Sequence, residues 1–409
     1  MLLRNKMKKK LLLLGGSRFL IPVIKEAHKL GLHVITADYL PNNDAHKLSD
    51  EYVNVSIVDK NAVLLVAQEL GINGIMSFAC DPGVVTAAYV AEKMGLSFQC
   101  SYEAACVFQD KSRFRHFLAN NGFNTPKAKD YNDVETALKE ADSFSWPIIV
   151  KPVDSAGSKG VTKVNILSDL EKAILLAFEK SLSKRIIIED FLDVVGFQSS
   201  TDLFTIDGIV DLPIFSDQVF DSLAENPYVP TVEIWPTTMP NNYQVDLVSQ
   251  LNKLFRLLGC RNGLYNIECR VCSNGKAYLM EVSPRGGGNH IALIQDMALG
   301  VNYIENEIRN AVDMPLNLKK EHAIDGVWCT YSLHPNKNQS GTLQSLGFSE
   351  EVKQNYLKFT DLAIKPGDRI GRFTGANMSF GDVFLHFDTR SDLINMVSEP
   401  SKWVNIIID

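Results

Sequence analysis

The sequence predicts a chain that begins as α/β, with a parallel, doubly wound sheet, and continues as α+β. Three observations carry this. Between residues 10 and 100, short apolar runs alternate with stretches of helical period. Beyond 107, strand patterns meet across turn signals, as antiparallel hairpins do. The 409 residues suffice for two or three domains with a sizeable core.

The elements follow in order. "LLLLGG" reads as a buried strand, and "RFLIPVIKEAHKLG" as a helix stopped at Gly31. "HVITADY" is a strand, "NAVLLVAQELG" a helix ending at Gly71, and "GIMSFA" a strand. "DPGVVTAAYVAEKMG" predicts a helix with Asp81 as N-cap and Pro82 at its first position. "SRFRHFLANNG" is a helix, broken after it by Thr125-Pro126. "PIIVKPV" and "GVTKVNI" are strands around "DSAGSKG", "EKAILLAFEKSL" a helix, and "RIIIEDFL" a strand. "FQSSTDLFTIDGIV" predicts a hairpin about Asp207-Gly208, and antiparallel signals continue through 264–283. From about 320, "GVWCTYSLHP" opens a third stretch of short strands with one terminal helix.

Composition is that of a globular protein, with 45% hydrophobic and 22% charged residues. A net charge of −7 favours neither nucleic acid nor an anionic membrane as partner. Seven scattered cysteines read as reduced thiols in the cytoplasm. The start "MLLRNKMKKKLLLLGGSRFL" mimics a signal peptide, but Leu11 to Leu14 is too short for an apolar core and Gly15 and Gly16 break it. No apolar run is long enough to span a bilayer.

The chemistry concentrates in "GLYNIECRVCSNGKAYLMEVSPRGGGNH". Asn274-Gly275 predicts a two-residue type I′ turn, which pairs Ser273 with Lys276. Carried outward, that register sets Glu268 opposite Glu281, with Cβ atoms roughly 5 Å apart, and Asn266 opposite Ser283. The other face, with Tyr265, Ile267, Cys269, Val271, Tyr278, Met280 and Val282, is the core face. Facing carboxylates repel, so the pair is either solvated beside a basic residue or holds a divalent cation. All-oxygen ligation suits Mg²⁺ or Mn²⁺. Arg285 stands just past Glu281, and Gly286, Gly287 and Gly288 offer bare backbone to an anion. Cys269-x-x-Cys272 is a poor zinc or redox half-motif, because strand residues three apart point to opposite faces and no second pair exists.

Elsewhere, Lys151 sits within a buried-strand pattern, where an ammonium is costly without an anion. The loop after it can wrap phosphates with its amides, although no Gly-Lys-Ser/Thr helix follows to make a Walker motif. Lys111 precedes a helix, and Glu189 ends a strand before a short connector. Taken alone, the loop reads first as a flexible hairpin, Lys111 as a surface lysine and Glu189 as a strand end.

The order of these parts resembles the ATP-grasp superfamily of ligases. The resemblance runs from about residue 10 to the C-terminus, densest over 107–292, and "VKPVDSAGSKGV" and "MEVSPRGGGNH" carry it. The chain looks most like phosphoribosylglycinamide synthetase-like and L-amino-acid-ligase-like members. That implies an N-terminal Rossmann-like pre-ATP-grasp domain over 1–106. An ATP-grasp domain would follow over 107–318, with a flexible lid at about 125–190 and an antiparallel ATP-binding core, and 319–409 would complete the ligase core. The resemblance implies ATP and Mg²⁺ as cofactors, small carboxylate and amine substrates, ADP as product and, as in relatives, a homodimer. Lys111 and Lys151 would contact phosphates under the loop Ser155 to Gly160, including Gly157 and Ser158. Glu189 would hold adenine with the backbone of Phe191 and Leu192. Glu268 and Glu281 would ligate the metal, and Arg285 would stabilise the acyl phosphate and tetrahedral species. Gln198 stands where relatives often use Glu for ribose, and Ser283 where they often carry a ligating Asn. Gly287, Asp81 and His290 are candidate substrate contacts, with capping the rival role for the last two. The aromatic segment 215–240 would shape acceptor choice. Two other classes stand beside this one. A nucleotide-binding module without ligase activity is compatible with Gln198 and Ser283. An NAD-binding protein would rest on Gly15-Gly16 and Asp38, but "GGSRFL" fails the G-x-G-x-x-G fingerprint.

Overall fold

The computed structural model describes residues 8–155, 157–318 and 323–409. The basic lead-in 1–7, Ala156 of the small-residue loop and the expected boundary at 319 lie outside the described residues.

The N-terminal strands form a parallel sheet in the order Glu51–Asn54, His33–Asp38, Lys10–Leu14, Gly74–Ser77. Its central strand explains the run of leucines. Leu11 and Leu13 pack under helix Ile21–Lys29, whereas Leu12 and Leu14 join the core with helices Lys60–Leu70 and Asp81–Met94. A strand covered on both faces is apolar at every position. Gly71 ends its helix with φ +61°, a left-handed cap that glycine adopts without strain. The expected break at 106 falls inside helix Tyr102–Gln109, which packs on helix Asp81–Met94.

A four-stranded antiparallel sheet follows, in the order Ala128–Tyr131, Ile186–Asp190, Ile148–Pro152, Thr162–Val164. Ile148, Val150, Ile186 and Ile188 pack on helices Val134–Glu140 and Leu170–Lys180. The alternate residues Ile149, Lys151 and Glu189 therefore point the other way, into a cleft. Across that cleft lies an inner sheet, in the order Ile209–Val210, Val194–Ile206, Gly263–Cys272, Ala277–Ser283. Helix Asn241–Leu257 covers its far face through Leu247, Leu251, Leu254 and Phe255. The hairpin at Asp207-Gly208 has the expected two-residue loop, with φ +50° and +74°.

The segment 215–240 supplies strands Asp217–Phe220 and Pro230–Trp235, which join Val327–Leu333, Gly381–Phe387 and Leu357–Leu362 in a five-stranded sheet. In the C-terminal stretch there are two helices, Glu350–Asn355 and Arg390–Val397, where one was expected. The final element is strand Val404–Ile408, paired with Gly341–Phe348. It forms because Val404, Ile406 and Ile408 alternate onto the core beneath. Among the described residues no helix is long and apolar enough to cross a membrane.

Candidate active site

The cleft between these sheets has a volume of about 1270 Å³. Its floor is the 263–283 hairpin, whose turn differs from expectation. Gly275 N–H donates to the Cys272 carbonyl at 2.9 Å, Cys272 pairs with Lys276, and of the central residues only Gly275 has positive φ. This is a three-residue loop, and the Asn274 side chain holds it by accepting from the Lys276 amide at 3.1 Å. The register is thereby one residue off near the turn, with Cys269 opposite Leu279. A bulge beside Glu268 returns the lost residue, and Glu268 faces Glu281 while Asn266 faces Ser283. The slip costs the expectation two residues: Met280 lines the cleft and Tyr278 stands opposite Arg270, while Leu279 and Ala277 take their places in the core.

Burial, and next the charge of Glu281, push the Glu268 carboxyl up to about 7, against the pull of Lys111. Lys111 lies 3.5 Å from Glu281 and donates to the Ser155 carbonyl at 3.0 Å. Burial opposes its charge, but Glu281, Asp81 and Glu268 outweigh burial and raise its pKa. It holds its place because Asp110 caps the helix Lys111–Asn120 by accepting from the Arg113 amide, and the Lys111 amide donates to the Val153 carbonyl. Among the described residues no three His, Cys, Asp or Glu side chains converge as a metal cage. Two facing carboxylates with one cation beside them still fit Mg²⁺, which keeps few protein ligands and shares phosphate oxygens.

The opposite wall carries the other charges. Glu189 accepts from Lys151 at 2.7 Å and from Arg115 Nε at 2.8 Å, all three side chains being buried. Burial brings Lys151 down to about 8, with Glu189 resisting and Arg115 assisting. Burial would raise Glu189, but Arg115 and Lys151 overcome it and hold the carboxyl at about 2. Each Glu189 oxygen thus accepts from one buried cation, so its side chain is first of all a counter-ion for Lys151 and Arg115, and one lone pair on each oxygen remains toward the cleft it lines. Beyond it, Phe191 lies under Lys163, with the ammonium 3.7 Å from the ring centre. The Leu192 carbonyl accepts from Arg270, and its amide has no partner among the described residues. In the loop above, Gly157, Ser158 and Gly160 all have positive φ, and Ser158 donates to the Tyr228 carbonyl across the cleft. Ser155, Gly157 and Ser158 line the cleft; Gly160 does not, being packed against Lys180 and Pro152.

The glycine-rich turn is more committed than expected. Arg285 Nε and Nη2 grip the two oxygens of Asp81 at 2.8 and 2.7 Å, and Nη1 donates to the Gly286 carbonyl. Asp81 is therefore the first residue of its helix and not the cap, with its carboxylate spent on Arg285 and Ser283. Ser283 also accepts from Gln109 at 2.7 Å and does not line the cleft, whereas Asn266 opposite it does. A role for Ser283 as metal ligand is not what this arrangement offers. Gly286 must be glycine, because a Cβ would stand 2.3 Å from the Phe78 ring. The Gly287 amide donates to both oxygens of Asp202 at 2.9 Å and is not free for an anion. His290 occupies the N-cap position of the next helix, where its carbonyl accepts the first helical bond, but its side chain makes no capping bond and does not line the cleft. It bonds Asp361 at 2.6 Å among the rings of Phe19, Phe359 and Phe384.

Several functional-looking residues escaped the sequence reading. Arg115 was detectable, one helical turn after Lys111. Glu233 and Asp202 stand alone in apolar or uncharged strands, which was the available signal. Arg18, bonded to Asp361 and Asp382, gave none.

Comparison with known proteins bears on the fold and the family. The family "D-ala D-ala ligase C-terminus" matches residues 118–305. A formate-dependent phosphoribosylglycinamide formyltransferase of Synechococcus sp. (strain CC9311) is 24% identical over 372 residues, 89% of this chain and 91% of the relative. The L-amino acid ligase from Bacillus licheniformis superposes with a TM-score of 0.83 at 21% identity, over 99% of this chain and 100% of the other. The phosphoribosylglycinamide synthetase from Anaerococcus prevotii gives 0.76 at 19% identity, over 98% and 100%. The matched domain, the near-full-length relatives and the shared fold together support an ATP-grasp carboxylate–amine ligase.

Proposed function

We propose that the chain phosphorylates a small carboxylate with ATP and passes the acyl group to an amine, releasing ADP and phosphate. The observation that carries this is Glu268 facing Glu281 in a cleft that also holds Lys111 and Lys151. Lys111 and Lys151 would bind phosphate oxygens, with the loop Ser155 to Gly160 over them. The backbone of Phe191 and Leu192 would read the adenine edge, and Gln198 the ribose. Glu268 and Glu281 would hold Mg²⁺ or Mn²⁺, which when bound neutralises phosphate charge. The substrate carboxylate attacks the γ-phosphorus, and the amine then attacks the acyl carbon and expels phosphate. The protein's part is to position these groups and stabilise charge. Arg285, fixed by Asp81, supplies a steady positive field beside the transferring group. Ser17, Arg18, Phe19, Asn289 and Asp361 line the end where the acceptor would enter.

We keep three units, the first extended to the end of helix Tyr102–Gln109. A homodimer in the cytoplasm completes the proposal, the compartment being supported by seven free cysteines. Names of the similar proteins supply the screen: formate and L-amino acids as acids, phosphoribosylglycinamide and L-amino acids as acceptors. Phosphate release over paired acids and amines tests the reading, with Glu281→Gln and Arg285→Ala as controls. One pair should release phosphate with wild type and neither variant should. Wild-type turnover in either variant removes its assigned role.

A further inference from the structure

Glu233 lies on strand Pro230–Trp235, is 3% exposed, lines the cleft, and forms no ion pair among the described residues. Its hydrogen bonds can be counted. Ser216 Oγ lies 2.7 Å from the Ser200 carbonyl and 2.7 Å from Glu233 Oε2, while the Ser200 amide donates to it at 3.2 Å. A hydroxyl has one hydrogen. If that hydrogen goes to the Ser200 carbonyl, which can only accept, Glu233 Oε2 must carry the proton and donate to Ser216. Burial foremost, with the nearby Glu268 adding to it, pushes the Glu233 carboxyl up to about 8, in keeping with a held proton. Glu233 Oε1 then has only lone pairs. It must accept from Gln218 Nε2, 2.8 Å away on the paired strand. With its nitrogen so committed, Gln218 turns its oxygen to Gln198, whose Nε2 donates to it at 2.7 Å. Gln198 is left with its carbonyl oxygen free of protein partners among the described residues, on a side chain that lines the cleft. It stands opposite Arg270, two residues before Ser200, which is opposite Glu268. The connector residues Phe191 and Leu192 precede its strand. That places it between the adenine connector and the metal pair, where a nucleotide's ribose lies.

We propose that Glu233 is a positioning residue: through Gln218 it fixes the Gln198 amide with its oxygen toward the ribose hydroxyls. Gln198 then accepts from a hydroxyl as a carboxylate would, without adding a negative charge near Glu268 and Glu281. The inference rests on the nucleotide reading of the cleft.

Equilibrium binding of MgADP, its 2′-deoxy form and its 3′-deoxy form to the full chain tests it. Wild type should prefer MgADP over at least one deoxy form by about 3- to 10-fold, the range of one neutral hydrogen bond. Gln198→Ala should bring that ratio to about 1. Glu233→Leu and Gln218→Leu should each reduce it at least about twofold, by freeing the Gln198 amide to turn. Glu233→Gln should keep the wild-type ratio, because an amide can donate to Ser216 and accept from Gln218 as the protonated acid does. A purely structural part for Glu233 would weaken all three nucleotides alike. Unchanged ratios in Gln218→Leu, which does not depend on Glu233→Leu folding, overturn the inference, as does a wild type indifferent to both hydroxyls. Absence of MgADP binding in wild type would instead overturn the nucleotide reading itself.

Discussion

The two walls of the cleft solve opposite electrostatic problems. On the wall carrying Lys151, two cations, Lys151 and Arg115, share one carboxylate, Glu189. On the hairpin wall, two carboxylates, Glu268 and Glu281, share one cation, Lys111. The first cluster is buried and each of its cations donates to Glu189, which makes Lys151 tolerable without a ligand. The second is left with surplus negative charge, and Glu268 is displaced toward its neutral form as a result. A nucleotide–metal complex complements both walls at once: anionic phosphates meet the spare positive charge on one, and a cation meets the spare negative charge on the other.

The largest effect that would break this comparison is Glu268→Gln. Turnover should fall about a thousandfold if the hairpin pair holds the metal. Without nucleotide or Mg²⁺ the same variant should melt higher than wild type, since relieving facing like charges is worth about 0.2–1 kcal/mol. Loss of stability together with loss of turnover would mean that the pair is structural. Next is Arg285→Ala, which strands Asp81 inside the protein. Breaking such a buried pair costs about 3–5 kcal/mol, read by denaturant unfolding, and Asp81→Asn in the same chain should recover much of it. A stable Arg285→Ala protein would mean that the fork does not hold the turn.

The smallest effect concerns pH and sharpens the first wall. Burial, with Arg115 and Lys111, places Lys151 at about 8, below its ordinary 10.5, against the pull of Glu189. Between pH 8 and 10.5 the unfolded chain holds a proton that the folded chain lacks, so this group's contribution to stability rises with pH in that window. Affinity for ADP should move the other way, falling as pH rises through about 8. Arg115→Met removes one cation that depresses Lys151, and should shift the fall to higher pH. A binding profile with the same midpoint in wild type and variant would separate Lys151 from phosphate binding.

How much was legible follows from distance along the chain. The leucine run, the glycine helix stops and the Asp207-Gly208 turn are local, and the residues alone specify them. The Glu268–Glu281 pairing was legible for a less secure reason. The loop at Asn274 has one residue more than the type I′ rule supposes, and a bulge supplies the compensating residue before the acids are reached. Met280 shows what the rule missed, since between loop and bulge every side chain is shifted by one.

What the sequence by itself determined is the order of strands and helices, the facing acids and the set of basic and small residues around them. Periodicity and turn chemistry act over a few residues, so a reader of the chain can recover them. Only the tertiary structure decided what each polar group is bonded to. Arg285 meets Asp81 from 204 positions away, Glu189 is held by an arginine 74 positions earlier, and Glu233 bonds a serine 17 positions earlier. A buried polar group must satisfy itself with whatever the fold brings near, and that neighbour is chosen by packing, which no local pattern encodes.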